Sequence, residues 1–292
     1  VLVLGLGDSG LAMAAWCARH GAGVRVWDSR ERPPRGQALA LAVPSATLTT
    51  GTLSADALQG VQLVLKSPGL APRDERIAPL LDGARKQGIA IAGELDLFAH
   101  ALADLKEERG YAPQVVAVTG TNGKTTTTAL AALLIERCGR RVAAAGNIGP
   151  TMLDTLAAAL DAKTEDGEAA PLPEVWVLEL SSFQLEGVKG FEPAAATVLN
   201  ITQDHLDWHG TMDAYAAAKT RVFGRHGAMV LNRDDPLVAA MAPQPIVVKG
   251  RTRPIDREVV TFGLDAPRHA GDFGLVVEAG MAWLVRAVSD EQ

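Results

Sequence analysis

The sequence predicts an α/β protein built on two mainly parallel sheets, and three observations carry that prediction. Two apolar, β-branched runs, VLVLG at the start and QVVAVTG from Gln114, each break into a glycine-rich turn and continue as an alanine- and leucine-rich helical stretch. Strand-like runs then alternate with helical stretches along most of the chain, the pattern that joins parallel strands. Beyond Pro243 the helical signal fades, and VVTFG, FGLVVEAG and MAWLVRAV read as a few extra short strands, the last two joined by a turn at Ala279 and Gly280.

At 292 residues, 48% hydrophobic and 21% charged, the chain is long enough for two domains with proper cores. A net charge of −6 with no basic run argues against a nucleic-acid surface, so an anionic ligand would be met by local loops. The two cysteines, Cys17 and Cys138, lie in helix-like stretches and point to neither a disulfide framework nor a cysteine metal site, which fits a reducing cytoplasm. No apolar run approaches membrane-spanning length, so no membrane association is expected. The chain opens in a strand without a leader or a start methionine, and residues are expected to precede Val1.

Residues 1 to 5 form a buried-strand run that ends in GLGDSG, with Gly5, Gly7 and Gly10 spaced as in a dinucleotide-binding turn, and Leu11 to His20 follow as a helix. The next strand, VRVWD, ends at Asp28, where that turn places a ribose-binding carboxylate; Ser29 and Arg30 add a hydroxyl and a cation. The alternatives are glycines serving helix and strand packing only, and an Asp28 that merely ends a strand. After a loop at 31–35, VQLVLKSPG reads as a strand broken at Ser67, Pro68 and Gly69, with Gly69 either small beside a bound phosphate or a plain turn residue. A helix (77–87), the strand IAIAG and a second helix (94–105) complete this half, and KEERGYAP (106–113) reads as a linker. The expectation is a Rossmann-like domain over 1–108 and a second domain over 109–292.

In the second half the strand QVVAVTG leads through TNGKTTTT into a helix. Such a turn aims backbone N–H groups and a helix N-terminus at an anion, Lys124 supplies a mobile charge and Thr125 a hydroxyl for Mg²⁺, so a nucleoside triphosphate is the expected ligand of this P-loop. Val118 stands where the common P-loop pattern has its first glycine, and an ordinary glycine turn is the alternative. RVAAAG, VWVLEL, ATVLN and GAMVLN continue the strands, and 161–174 is a polar exposed loop. Glu179, at the end of an apolar strand and followed by Ser181 and Ser182, stands where a P-loop fold needs a carboxylate for Mg²⁺. Asp204, His205, Asp207 and His209 in DHLDWHG form either a metal cluster or a surface loop. Lys219, ending AYAAAK, reads on its own as a solvated helix lysine.

Five ordered motifs, GTNGKTT (120–126), GNIG (146–149), ELSSFQLE (179–186), NITQDHLDWHG (200–210) and AYAAAK (214–219), resemble those of the Mur ligases, and the likeness covers nearly the whole chain. The resemblance implies a monomeric, cytoplasmic, ATP-dependent amide-forming enzyme of peptidoglycan synthesis. The first domain and ELSSFQLE are most similar to members that join D-glutamate to UDP-N-acetylmuramoyl-L-alanine through an acyl phosphate. It implies that Gly120, Thr121, Asn122, Gly123, Lys124, Thr125 and Thr126 hold ATP, with Asn232 near adenine. Thr125, Glu179 and His205 would contact the metal, two Mg²⁺ ions with Mn²⁺ as substitute. Lys219 would be carbamylated by CO₂, which adds only to the neutral amine and leaves a carboxylate suited to Mg²⁺. Asp8, Ser9, Asp28, Ser29, Arg30 and Gly69 are assigned to the uridine diphosphate, and Asn147 and Ser181 to its distal end. Lys124, Asn147, His205 and Lys219 would be the catalytic set.

Such ligases carry a third, Rossmann-like domain that closes over ATP, whereas this sequence stops at Gln292; a fragment, inactive alone, with its central domain incomplete, is expected. Rival readings are another Mur-type ligase or folylpolyglutamate synthase, a NAD-dependent dehydrogenase resting on GLGDSG and Asp28, and a non-enzymatic nucleotide-binding switch.

Overall fold

The computed structural model describes all residues except 245, 249–250, 254–256 and 290–292. In chain order the elements are β1 (Leu2–Leu4), α1 (Asp8–Arg19), β2 (Arg25–Asp28), α2 (Gly36–Ala42), β3 (Thr47–Thr50), β4 (Leu63–Lys66), α3 (Ala78–Lys86), β5 (Ala90–Ala92) and α4 (Glu94–Arg109). They continue with β6 (Gln114–Thr119), α5 (Lys124–Arg137), β7 (Val142–Gly146), α6 (Met152–Asp161), β8 (Val175–Glu179), α7 (Ser182–Leu185), β9 (Ala195–Val198), α8 (Leu206–His209), α9 (Met212–Thr220) and β10 (Ala228–Asn232). Last come α10 (Pro236–Ala239), β11 (Ile246–Val248), β12 (Arg251–Arg253), β13 (Val259–Phe262), β14 (Phe273–Glu278) and β15 (Met281–Arg286). The chain divides into two compact units: 1–113 with 145–174 and 183–191, and 114–144 with 175–182 and 192–292.

The first unit holds a five-stranded sheet, counted over the described residues, in the order β3-β2-β1-β4-β5 with every pairing parallel. That order reverses direction between β1 and β4, and the crevice at such a switch point, beyond the strand C-termini, is where ligands of open α/β sheets bind. Register makes the point concrete: Leu4 pairs with Trp27 and with Lys66, so Gly5, Asp28 and Ser67 emerge at one level. Leu2, Leu4, Trp27, Val64, Ile77, Leu80 and Leu81 pack into one buried cluster, and each such side chain contributes roughly 1.5–3 kcal/mol.

The second unit holds a sheet ordered β15-β14-β13-β10-β9-β6-β8-β7. The pairs β6–β8, β6–β9, β9–β10, β10–β13 and β13–β14 are parallel, and β14–β15 is an antiparallel hairpin. Its turn residues Ala279 and Gly280 both have positive φ (50° and 78°), as a tight two-residue hairpin turn requires. The strand β6 lies between β9 and β8, so the loop leaving it opens at this sheet's own switch point.

Some segments differ from the sequence reading. The expected linker at Lys106 is helical through Arg109, because lysine, glutamate and arginine are good helix formers; α4 ends only at Gly110, whose φ of 68° suits glycine. The elements α2 and β3 were not expected: β3 (TLTT) is a polar edge strand without apolar alternation. No helix among the described residues is long and apolar enough to cross a membrane.

Candidate functional site

In the first unit, the turn after β1 is held so that α1 starts against the end of the strand. A Cβ on Gly10 would lie 2.0 Å from the Gly5 carbonyl oxygen, so the helix can approach the turn only with glycine there. Gly5 itself has φ +86° and packs against Ser67, whose hydroxyl donates to the Gly5 carbonyl at 2.7 Å. Asp28 is 2% exposed. It accepts from the Leu6 N–H at 2.7 Å and from the Arg30 guanidinium at 2.7 and 2.8 Å, and the Arg30 bond foremost holds its carboxyl down to about 2. The carboxylate therefore locks the glycine turn to the end of β2 as well as presenting Arg30.

These groups line a cavity of about 520 Å³ bounded by Asp8, Ser9, Asp28, Ser29, Arg30, Gly69 and Asn147 among others. A second cavity of about 320 Å³ shares Asp8, Ser9 and Asn147 and runs on past Pro150, Thr151 and Gln184. A Cβ at Gly69 would meet nothing within 4 Å, so the protein leaves open space there. Sequence reasoning passed over two of the lining side chains. Arg76 reaches across to donate to the Ser29 hydroxyl at 2.8 Å, and Ser67 was read only as the point where a strand breaks.

In the second unit, β6 runs into Gly120, and Gly123 (φ +82°) turns the chain into α5, whose first residues are Lys124 and Thr125. Asn200, at the end of the neighbouring β9, grips the loop from both sides: its Oδ1 accepts from Asn122 N at 2.9 Å and its Nδ2 donates to Asn122 O at 3.1 Å. Lys124 Nζ folds back on the Gly120 and Thr121 carbonyls at 3.0 and 2.9 Å. Asn232 Nδ2 donates to Leu199 O at 2.9 Å, tying the end of β10 to the same edge.

Lys219 is not the solvated side chain that its helix suggests. It is 1% exposed. Its amine donates to the Gly120 carbonyl at 2.8 Å and sits 4.7 Å over the Tyr215 ring, while the Tyr215 hydroxyl meets Thr121 Oγ1 at 3.1 Å. Burial first, and the charge of Lys124 second, push the ammonium down to about 7. The amine is thus partly neutral at pH 7 and hydrogen-bonded to the turn that follows β6.

Glu179, 3% exposed, ends β8 opposite Val118 of β6 and offers a hard oxygen of the kind Mg²⁺ takes. His205, in a left-handed backbone (φ 52°), pairs with Asp204 at 3.3 Å, with both side chains nearly half exposed. The DHLDWHG side chains do not converge into a metal cluster: His209 turns inward onto the Ser182 hydroxyl at 2.9 Å, and no group of three His, Cys, Asp or Glu suited to a metal occurs among the described residues. Ser181 is half-buried beside Glu179.

A family profile described as Mur ligase middle domain matches residues 118–270, and one described as Mur ligase MurD-like, N-terminal domain matches residues 1–93. The UDP-N-acetylmuramoylalanine--D-glutamate ligase of Albidiferax ferrireducens is 58% identical over 294 residues, covering 100% of this chain and 56% of its own length. That of Paraburkholderia xenovorans is 54% identical, covering 98% and 54%. Among solved structures, a UDP-N-acetylmuramate:L-alanyl-gamma-D-glutamyl-meso-diaminopimelate ligase from Neisseria meningitides shares the fold at 15% identity, with a TM-score of 0.55 over 99% of this chain and 84% of its own. The chain spans about half the length of the curated relatives it matches. With the middle-domain profile alone covering more than half of its residues, the chain belongs to the Mur ligase family.

Proposed function

We propose that the chain is the substrate- and ATP-binding part of a ligase that adds D-glutamate to UDP-N-acetylmuramoyl-L-alanine, with 1–108 as the UDP-binding domain and 109–292 as the ATP-binding domain. The observation that carries this reading is Lys219, a buried amine held near neutrality 2.8 Å from a phosphate-loop carbonyl. A dehydrogenase or a simple nucleotide switch has no use for such a group, whereas a carbamylated lysine would supply a further oxygen ligand for Mg²⁺. The identity of 58% over the whole chain supports the D-glutamate branch of the family.

In this reading uridine lies at Asp28, Ser29 and Arg30, the diphosphate at the N-terminus of α1 by Asp8 and Ser9 with Gly69 open beside it, and the alanyl end toward Asn147. ATP lies over Gly120 to Thr126, with Asn232 near adenine. Lys124 leaves its two carbonyls for the β- and γ-phosphates. Thr125, Glu179, His205 and carbamylated Lys219 would hold two Mg²⁺ ions, with Mn²⁺ as substitute, which neutralise phosphate charge. The alanyl carboxylate oxygen attacks the γ-phosphorus and ADP leaves. The D-glutamate amine then adds to the acyl carbon, the tetrahedral intermediate expels phosphate, and the amine loses a proton. Lys124 and the loop N–H groups position and neutralise, and no protein nucleophile is needed.

The test is ¹³CO₂ labelling of the chain in the presence of Mg²⁺. A carbamate carbon resonance that disappears in Lys219→Ala is the expected result. No resonance in a chain that still binds ATP would overturn the reading.

A further inference from the structure

Three helix N-termini meet inside the first unit at a side chain that has no place in the scheme above. Glu94 is the first residue of α4 and is 2% exposed. Its Oε1 accepts from the N–H of Leu153, in the first turn of α6, at 3.2 Å. The first turn of α1, with the Ser9 hydroxyl, and the N–H of Met152 also face its carboxyl and favour its charged form, and α1, α4 and α6 pack on one another here. The carboxylate thus sits where two loops that are far apart in sequence come together. One is the glycine turn that carries Asp8 and Ser9. The other is the segment 146–151 that carries Asn147 and runs into α6. Both loops line the second cavity, which has Asp8, Ser9, Asn147, Pro150 and Thr151 among its walls.

From this we infer that Glu94 is a positioning residue that fixes the distance between the diphosphate-binding turn and the Asn147 loop. It thereby sets affinity for ligands long enough to span both. The inference rests on the first crevice being the UDP-substrate site. Uridine monophosphate, held at the Asp28 end, depends on Leu6, Asp28 and Arg30, which Glu94 does not touch. UDP-N-acetylmuramoyl-L-alanine continues past Ser9 to Asn147 and needs the two loops in register. A buried carboxylate is an apt spacer because it is bonded to the start of α6 and its helix packs against α1, so the two loops cannot drift independently. Its other oxygen, Oε2, is buried with no hydrogen-bond partner, so an amide nitrogen in its place breaks no bond.

The test is calorimetric titration of both ligands into the chain and into Glu94→Ala, Glu94→Asp and Glu94→Gln. In Glu94→Ala the longer ligand should bind about tenfold more weakly while uridine monophosphate changes by less than about twofold. Glu94→Asp keeps a charge at the start of α4 but withdraws the oxygens by one methylene. It should show the same split, and it stands in if the alanine variant does not fold. Glu94→Gln should restore the longer ligand to within about threefold. Equal losses for both ligands, or none for either, would overturn the positioning role while leaving the site assignment intact. Failure of the parent chain to bind either ligand would instead overturn the site assignment on which the role depends.

Discussion

Replacing Lys219 by methionine should stabilise the chain at neutral pH and destabilise it in alkali. The folded ammonium titrates at about 7 against an ordinary 10.5, so between those values the unfolded chain binds a proton that the folded chain does not. Stability from this group therefore rises with pH from about 7 to about 10.5, and it is lowest when the lysine must be charged inside the fold. At about 1.4 kcal/mol per pH unit the full displacement caps the effect at roughly 5 kcal/mol; relaxation around the loop brings the expected figure to about 2–4 kcal/mol. Methionine removes that cost together with the bonds to Gly120 O and Thr119 Oγ1, worth about 1 kcal/mol each. Lys219→Met should thus gain roughly 0–2 kcal/mol at pH 7 and lose about 1–2 kcal/mol near pH 10, the two stability curves crossing between. Urea unfolding followed by circular dichroism in CO₂-free buffers reads this directly. A methionine variant less stable at both pH values, with a pH dependence parallel to that of the parent, would refute the reasoning, because it would mean the lysine is charged and satisfied in the fold.

Lys124→Ala should lose ATP binding while leaving affinity for UDP compounds within about twofold, since its amine bonds to loop carbonyls of the second unit; fluorescent-ATP titration beside calorimetry checks both. Gly10→Ala forces a Cβ to 2.0 Å from the Gly5 oxygen, so it should cost about 2–3 kcal/mol of stability by urea unfolding and weaken UDP binding in step. With UDP-N-acetylmuramoyl-L-alanine, D-glutamate and ATP all present, the 292-residue chain should release almost no phosphate, whereas a chain extended to the length of its relatives should turn over. The acyl phosphate needs both protection from water and an aligned amine. Comparable rates for the two would contradict the proposed division of labour.

Most strands were legible because β1, β6, β8 and β10 are apolar runs closed by glycine, serine or asparagine, a local signal. The strand β3 and the helix α2 were not: TLTT carries no alternation, and α2 buries only Leu39. The helix α6 did have a signal that went unused. Thr151 accepts from Asp154 N as an N-cap before the apolar run of MLDTLAAAL, which is a threonine followed three residues later by an acid. The loops around Gly5, Gly10 and Gly123 could be read because glycine marks where backbone must approach or turn. What could not be read is burial of polar groups at long sequence separation. Lys219 touches Gly120 across 99 residues, Glu94 touches Leu153 across 59, and Ser67 touches Gly5 across 62. In each case a side chain unremarkable in its local sequence takes its role from what the fold places beside it.

What the first crevice binds is decided by one calorimetric titration. UDP-N-acetylmuramoyl-L-alanine added to the chain should give saturable one-to-one binding, competed by UDP and lost in Asp28→Ala, while NADH gives no heat under the same conditions. Binding of NADH with none of the UDP compound would contradict the assignment of GLGDSG, Asp28 and Arg30 to a uridine nucleotide, and with it the proposed ligase substrate.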